Sequence, residues 1–304
     1  MCCLFGMIDY RHSFSGKQKS KIIRALAASA EARGTDASGI AYNSGGRLRV
    51  YKRPLPGHLL PLRIPSDAAV VMGHARMTTQ GDGKRNYNNH PFQARVGGTA
   101  FALAHNGVIH NDKALRQSLK LPQTNIETDS YIAVQLLQRK DFLDFDSLKY
   151  MAEQVEGSFS FTVLDDQNRL YFVKGDSPLC LFHYPEPGLY LYASTSEILM
   201  DALTRIPYHF GECERVDIDD GELLMIGPDG NQERSSFRFV DPMSYYGLGY
   251  WGCCPTYRDT QKDYTRALKS VAGAFGITPW QIDRLLDEGF THEEIEDCLY
   301  CGEL

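Results

Sequence analysis

The stretch Met1-Cys2-Cys3-Leu4-Phe5-Gly6-Met7-Ile8-Asp9 decides how the rest of the chain is read. Cys3 to Asp9 is short and almost wholly apolar, as a strand buried on both faces would be. Ahead of it stands Cys2, directly behind a methionine that is commonly removed when so small a residue comes next. Removal would leave a thiol and a free α-amine on one residue. Their ordinary pKa values are about 8.5 and about 7.7–8.0, so the amine can serve the thiol as general base near neutral pH without a histidine. Taken alone, Cys2 is better read as a small apolar residue starting a strand. Residues further along the chain weigh between the two.

Residues 15 to 33 read as an amphipathic helix, with Ser15 or Ser13 as its cap and Ile22, Ile23, Leu26, Ala27 and Ala30 on one face. Strand-like runs come next at 37–42, 48–52, 68–74 and 99–105. Between the last two lies a long polar loop, 78–90, rich in Gly and Asn, and loops of that length in a compact domain usually carry function. Helical patterns at 127–140 and 146–155 precede strands at 158–164, 169–174, 179–183 and 189–193. A short helix at 197–203 and strands at 214–217, 222–226 and 233–237 complete the series. Hairpin-like connections and the absence of regular strand–helix alternation predict an α+β fold of antiparallel sheet with packed helices.

Six motifs punctuate these elements. They are Cys2-Cys3-Leu4-Phe5-Gly6, Arg33-Gly34-Thr35-Asp36-Ala37-Ser38-Gly39, Gly73-His74-Ala75-Arg76-Met77-Thr78-Thr79, His105-Asn106-Gly107, Glu127-Thr128-Asp129-Ser130 and Glu156-Gly157-Ser158-Phe159. In order and separation they resemble the class II glutamine amidotransferases, members of the N-terminal nucleophile (Ntn) hydrolases. The resemblance covers about residues 2 to 235. It implies a four-layer αββα sandwich of two antiparallel sheets, the Ntn-hydrolase fold, and an enzyme that hydrolyses the side-chain amide of L-glutamine through a Cys2 thioester.

The roles implied by the resemblance suit the chemistry. Cys2 is the nucleophile, and the Asn106 side chain with the Gly107 N–H forms the oxyanion hole. Arg33 lies near the nucleophile, where its fixed charge favours thiolate. Arg76 recognises the glutamine carboxylate through its fork of donors, Asp129 its ammonium, and Thr79 and His90 line the same site. His74 and His105 read as buried, satisfied histidines. Cys3 stands where the family usually has glycine, which sets a second, oxidisable thiol beside the first. Met77 and Gln80 replace the Trp and His of amidosugar-type members, on the loop that closes over glutamine. Two alternatives stay open: a non-catalytic binding module that keeps the fold, and an Ntn hydrolase of another amide.

Composition narrows the remaining classes. With 32 basic and 38 acidic side chains and a net charge of −6, the chain offers nucleic acid no general attraction. No apolar run reaches the roughly 18–20 residues of a membrane helix, and Asp9 and Arg11 come too soon after the apolar start for a secretory signal. The expected location is therefore the cytoplasm, with the eight cysteines reduced. Cys253-Cys254 and the pair Cys298 and Cys301 lack finger-like spacing. No metal and no cofactor are expected. The predicted division is a glutaminase domain over 2–240, an aromatic and Gly-rich linker over 241–261, and a helical appendage over 262–304 that docks on the main domain or on a partner. No synthase signature stands after the domain, and the resemblance implies that a separate protein accepts the ammonia.

Overall fold

The computed structural model describes residues 2–239 and, within 265–301, all but 267, 270, 274 and 275. The expected linker over 241–261, with Cys253 and Cys254, lies outside the described residues. In chain order the strands are β1 (Cys3–Asp9), β2 (Ala37–Ser44), β3 (Arg47–Arg53), β4 (Val70–Arg76), β5 (Phe92–Val96), β6 (Thr99–Ile109), β7 (Gly157–Asp165), β8 (Leu170–Lys174), β9 (Cys180–Tyr184), β10 (Leu189–Ala193), β11 (Glu214–Val216), β12 (Glu222–Ile226) and β13 (Gln232–Ser236). The helices are α1 (Gly16–Ser29), α2 (Asp112–Ser118), α3 (Tyr131–Leu137), α4 (Phe145–Gln154), α5 (Ser196–Arg205), α6 (Pro279–Asp287) and α7 (His292–Cys301).

The strands form two sheets, ordered β11-β9-β10-β1-β4-β2-β3 and β13-β12-β8-β7-β6-β5. Every pairing within them is antiparallel. Strand periodicity then sorts the side chains into three cores. Leu4 and Ile8 join Met72, Ala102, Ala104, Phe172, Tyr192 and Leu224 between the sheets. Cys3, Phe5 and Met7, on the other face of β1, meet Ile22, Ile23 and Leu26 of α1 and Ile198 and Leu199 of α5. Phe101, Leu103, Phe161 and Val163 face Ile132, Leu136, Leu148 and Met151 of α3 and α4. Two sheets covered outside by helices make the four-layer αββα sandwich. β1 lies inside its sheet, buried along its whole length, which is why its sequence is continuously apolar rather than alternating.

Local chemistry sets the helix ends. Ser15 caps α1 as half of a capping box with Gln18, and Asp144 with Ser147 does the same for α4. The helix expected over 127–140 begins only at Tyr131. The residues before it serve long-range contacts instead: the Glu127 N–H donates to Asn88 (2.9 Å) and the Asp129 carboxylate accepts from Ile109 (2.7 Å). β5 and α2 have no counterpart in the sequence pattern. β5 has only Phe92 and Val96 buried, and α2 a single buried residue, Asp112, so neither shows a clear apolar period. No helix among the described residues is long and apolar enough to cross a membrane.

Candidate active site

Ends of strands from both sheets meet at Cys2. The residue sits immediately before β1 and is 8% exposed. Its Sγ donates to the Met77 carbonyl just past β4, at 3.4 Å. Arg33 is buried and donates from Nε to the Cys2 carbonyl at 3.0 Å. Burial raises the thiol above its ordinary pKa, the Arg76 guanidinium opposes that, and the Asp129 carboxylate adds to it. Both charged groups therefore lie close enough to act on the sulfur.

The Arg33–Gly39 motif braces this junction. A Cβ on Gly34 would lie 2.5 Å from the Arg76 carbonyl carbon, so only glycine lets the two backbones meet. The Asp36 N–H donates to the Arg76 carbonyl (3.0 Å), and the Asp36 carboxylate accepts from the Thr78 N–H (2.7 Å). Arg76 itself is 3% exposed. Its Nη1 donates to Asn89 Oδ1 (2.6 Å) and its Nη2 to the Gln80 carbonyl (2.7 Å). The guanidinium thus organises the polar loop that comes after it. Glu127 anchors the same loop through the Asp82 N–H, Asn88 and Arg85.

β6 supplies the opposite wall. Asn106 is fully buried; its Nδ2 donates to Ser194 Oγ (3.3 Å), while its Oδ1 is buried without a hydrogen-bond partner. Ser194 Oγ also accepts from the Leu4 N–H at 2.9 Å. One hydroxyl thus ties the strand behind Cys2 to Asn106 across the two sheets. Gly107 has φ +133°, and a Cβ there would lie 2.0 Å from the Ser158 carbonyl oxygen. Gly107→Ala is expected to lower stability by about 1–3 kcal/mol through backbone strain, measured by urea denaturation. Asp129 is 3% exposed and held by Ile109 and by Ser130 (3.3 Å).

Cys2, Arg33, Arg76, Asn106, Gly107 and Asp129 thus share one end of the sandwich. Thr79 is exposed on the bend after Arg76. His90 is buried, its ring tilted against His74 (4.2 Å between centroids) and edge-on to Phe92 (4.4 Å), with neither ring nitrogen hydrogen-bonded. Cys3 corrects an expectation: its side chain points into the α1 core, on the face of β1 away from the inter-sheet side, and both thiols are free. Three residues of the site carry no sequence signal of their role: Ser194, Asn89 and Glu127. Their partners lie up to 190 positions away, and the one local hint is the Asn-rich loop before His90.

Residues 74–201 match the model of a glutamine amidotransferase domain. The glutamine–fructose-6-phosphate aminotransferase (isomerizing) of Staphylococcus epidermidis is 31% identical over 191 residues, 59% of this chain and 30% of that protein. Its namesake in Staphylococcus aureus is 28% identical over 249 residues, 78% of this chain and 39% of that one. The chain thus spans well under half the length of these curated relatives. Among solved structures, the glutamine phosphoribosylpyrophosphate amidotransferase of B. subtilis, complexed with ADP and GMP, superposes with a TM-score of 0.61 at 19% identity, over 79% of this chain and 50% of that one. That likeness supports the fold. Over residues 74–201 the chain thus matches a glutamine amidotransferase domain, and it is similar in sequence to part of these aminotransferases.

Proposed function

We propose that this chain hydrolyses the side-chain amide of L-glutamine to glutamate and ammonia, and that a separate synthase protein accepts the ammonia. The observation that carries the reading is the meeting of Cys2, Arg76, Asp129 and the Asn106–Gly107 segment at one end of the two sheets.

In this reading, loss of Met1 frees the Cys2 α-amine. The amine takes the thiol proton as sulfur attacks the amide carbon, which offsets the burial that disfavours thiolate. The tetrahedral oxyanion accepts hydrogen bonds from Asn106 Nδ2 and the Gly107 N–H. Ammonia leaves with the proton returned by the α-amine, and water then cleaves the γ-glutamyl thioester to glutamate. Arg33 holds the Cys2 carbonyl and so fixes the direction in which the thiol points. Arg76 and Asp129 take the α-carboxylate and α-ammonium, a pairing that favours an α-amino acid over other amides. Thr79 belongs to the loop that encloses the substrate, and His90 packs beneath that loop against His74 and Phe92. We place the reaction in the cytoplasm, where the thiol stays reduced.

The test joins intact mass with a glutamate-release assay. A chain beginning at Cys2 that turns over glutamine supports the proposal. A chain that keeps Met1 and releases nothing favours the non-catalytic module. Arg76→Lys keeps the charge and loses the fork, and one charged hydrogen bond is worth about 1.5–3 kcal/mol. The expected result is a rise of about 10–100-fold in glutamine KM, read from initial rates; an unchanged KM would show that Arg76 does not hold the carboxylate.

A further inference from the structure

The C-terminal helices have no part in the chemistry above, yet they touch the strand that carries it. Leu268, Val271, Ala272, Ile282, Ile295 and Leu299 form a small buried core, and Val108 of β6 packs against it. Val108 is the residue after Gly107. With a strand period of two, it lies on the same face as Asn106, about 7 Å further along β6. A second contact lies beside the first: Arg266 Nη1 donates to Asp220 (2.7 Å), whose other carboxylate oxygen accepts from Lys174 Nζ (2.8 Å). Lys174 ends β8, next to the Gly175 N–H that bonds the Phe159 carbonyl, and Phe159 is the register partner of Gly107.

This end of β6 needs bracing. Gly107 and its near neighbour across the ladder, Gly157, have φ values of +133° and +131°, a region closed to other residues. Each strand crowds the other there: a Cβ on Gly157 would lie 2.1 Å from the Val108 carbonyl oxygen. Such geometry persists only where the surroundings over-determine it. Asp129 fixes one side through the Ile109 N–H (2.7 Å). On the other side Val108 packs against the C-terminal core.

We infer that the C-terminal helical unit is an intrachain brace for the oxyanion hole, with Val108 the positioning residue that transmits its hold to the Gly107 N–H. This deepens the glutaminase reading and rests on it. The unit acts on the transition state rather than on glutamine binding, because Arg76 and Asp129 are held by other elements.

The test uses the full chain. Leu268→Asp disrupts the small core without touching the site; Val108→Ala trims the contact and Val108→Ile keeps it. Leu268→Asp and Val108→Ala are each expected to lower kcat about 10-fold, less than the full loss of an oxyanion donor, with glutamine KM within 2-fold (roughly, as for an interaction made only in the transition state). Val108→Ile should keep the parent kcat. Amide hydrogen exchange over residues 106–110 should speed up in the two weakened variants and not in Val108→Ile. Exchange reads the brace even if no glutamine is turned over. Unchanged exchange in Leu268→Asp, or an unchanged kcat despite faster exchange, overturns the inference, whereas a parent chain without turnover overturns the glutaminase reading instead.

Discussion

Cys2→Ala is expected to reduce glutamine hydrolysis by about 10³-fold or more, the scale on which removing a catalytic nucleophile falls, while glutamine still binds. The two halves have different physical origins. The thiol hydrogen-bonds to the Met77 carbonyl at 3.4 Å, a weak contact, so alanine removes the attacking atom and little else. The groups proposed to hold the amino acid are fixed without it: Arg76 by Asn89 and Gln80, Asp129 by Ile109 and Ser130. Calorimetry should give a glutamine dissociation constant for Cys2→Ala within a few-fold of the parent's, and the assay a rate near background. Residual turnover of more than about a tenth of the parent rate would move the nucleophile elsewhere, since nothing else is proposed to attack the amide. Cys3→Ala makes the contrast. That side chain belongs to the α1 core, so its loss is expected to cost stability of the order of 1–2 kcal/mol by cavity formation, with kcat little changed.

Antiparallel sheet with packed helices is legible in the sequence because β1 and its neighbours are buried on both faces and read as continuous apolar runs, while hairpin turns mark the antiparallel order; the four-layer stacking is implied only by the family resemblance. The elements that stay hidden have weak periods, as in β5 and α2, or trade helix for long-range bonds, as at Glu127 and Asp129. The site shows the same division. Cys2, Arg76, Asn106 and Asp129 stand in motifs whose residue types suit the chemistry. Ser194 and Asn89, which hold two of them, have a meaning only after the sheets have stacked. His90 falls in the polar loop, and the family resemblance implies that it lines the glutamine site. The fold turns it inward, against His74 and Phe92.

That inward turn gives the second large effect, on stability against pH. His74, His90 and His105 are all buried and all held below the ordinary imidazole pKa, chiefly by burial; neighbouring positive charge adds to this at His74 and His90, and for His74 the value falls to about 3. Their contacts suit neutral rings. His74 Nε2 donates to the His105 carbonyl (2.9 Å), His105 meets Ser130 Oγ (2.8 Å), and His90 has no hydrogen bond that a second ring proton could strengthen. The unfolded chain takes these three protons near pH 6.5, and the folded chain takes them only at lower pH. Their contribution is therefore complete above about pH 7 and is lost as pH falls below about 6.5. The loss approaches about 1.4 kcal/mol per pH unit for each histidine. For His74, whose value falls to about 3, that is about 2 kcal/mol between pH 6.5 and 5, and His90 and His105 add to it in the same direction. Carboxylates held below their usual range, such as Asp67 and Glu127, act only at lower pH, and Asp165, pushed up by burial, acts in the opposite sense to the histidines. Urea midpoints at pH 7.5, 6.5, 5.5 and 5 (values set to bracket the ordinary imidazole pKa of about 6.5) should fall steeply across the last three. His90→Phe keeps an aromatic ring between His74 and Phe92 and removes one titrating group, so the slope should drop by about one proton. A midpoint that does not move between pH 7.5 and 5 would mean the three rings are already charged or exposed in the folded protein, contrary to the packing around them.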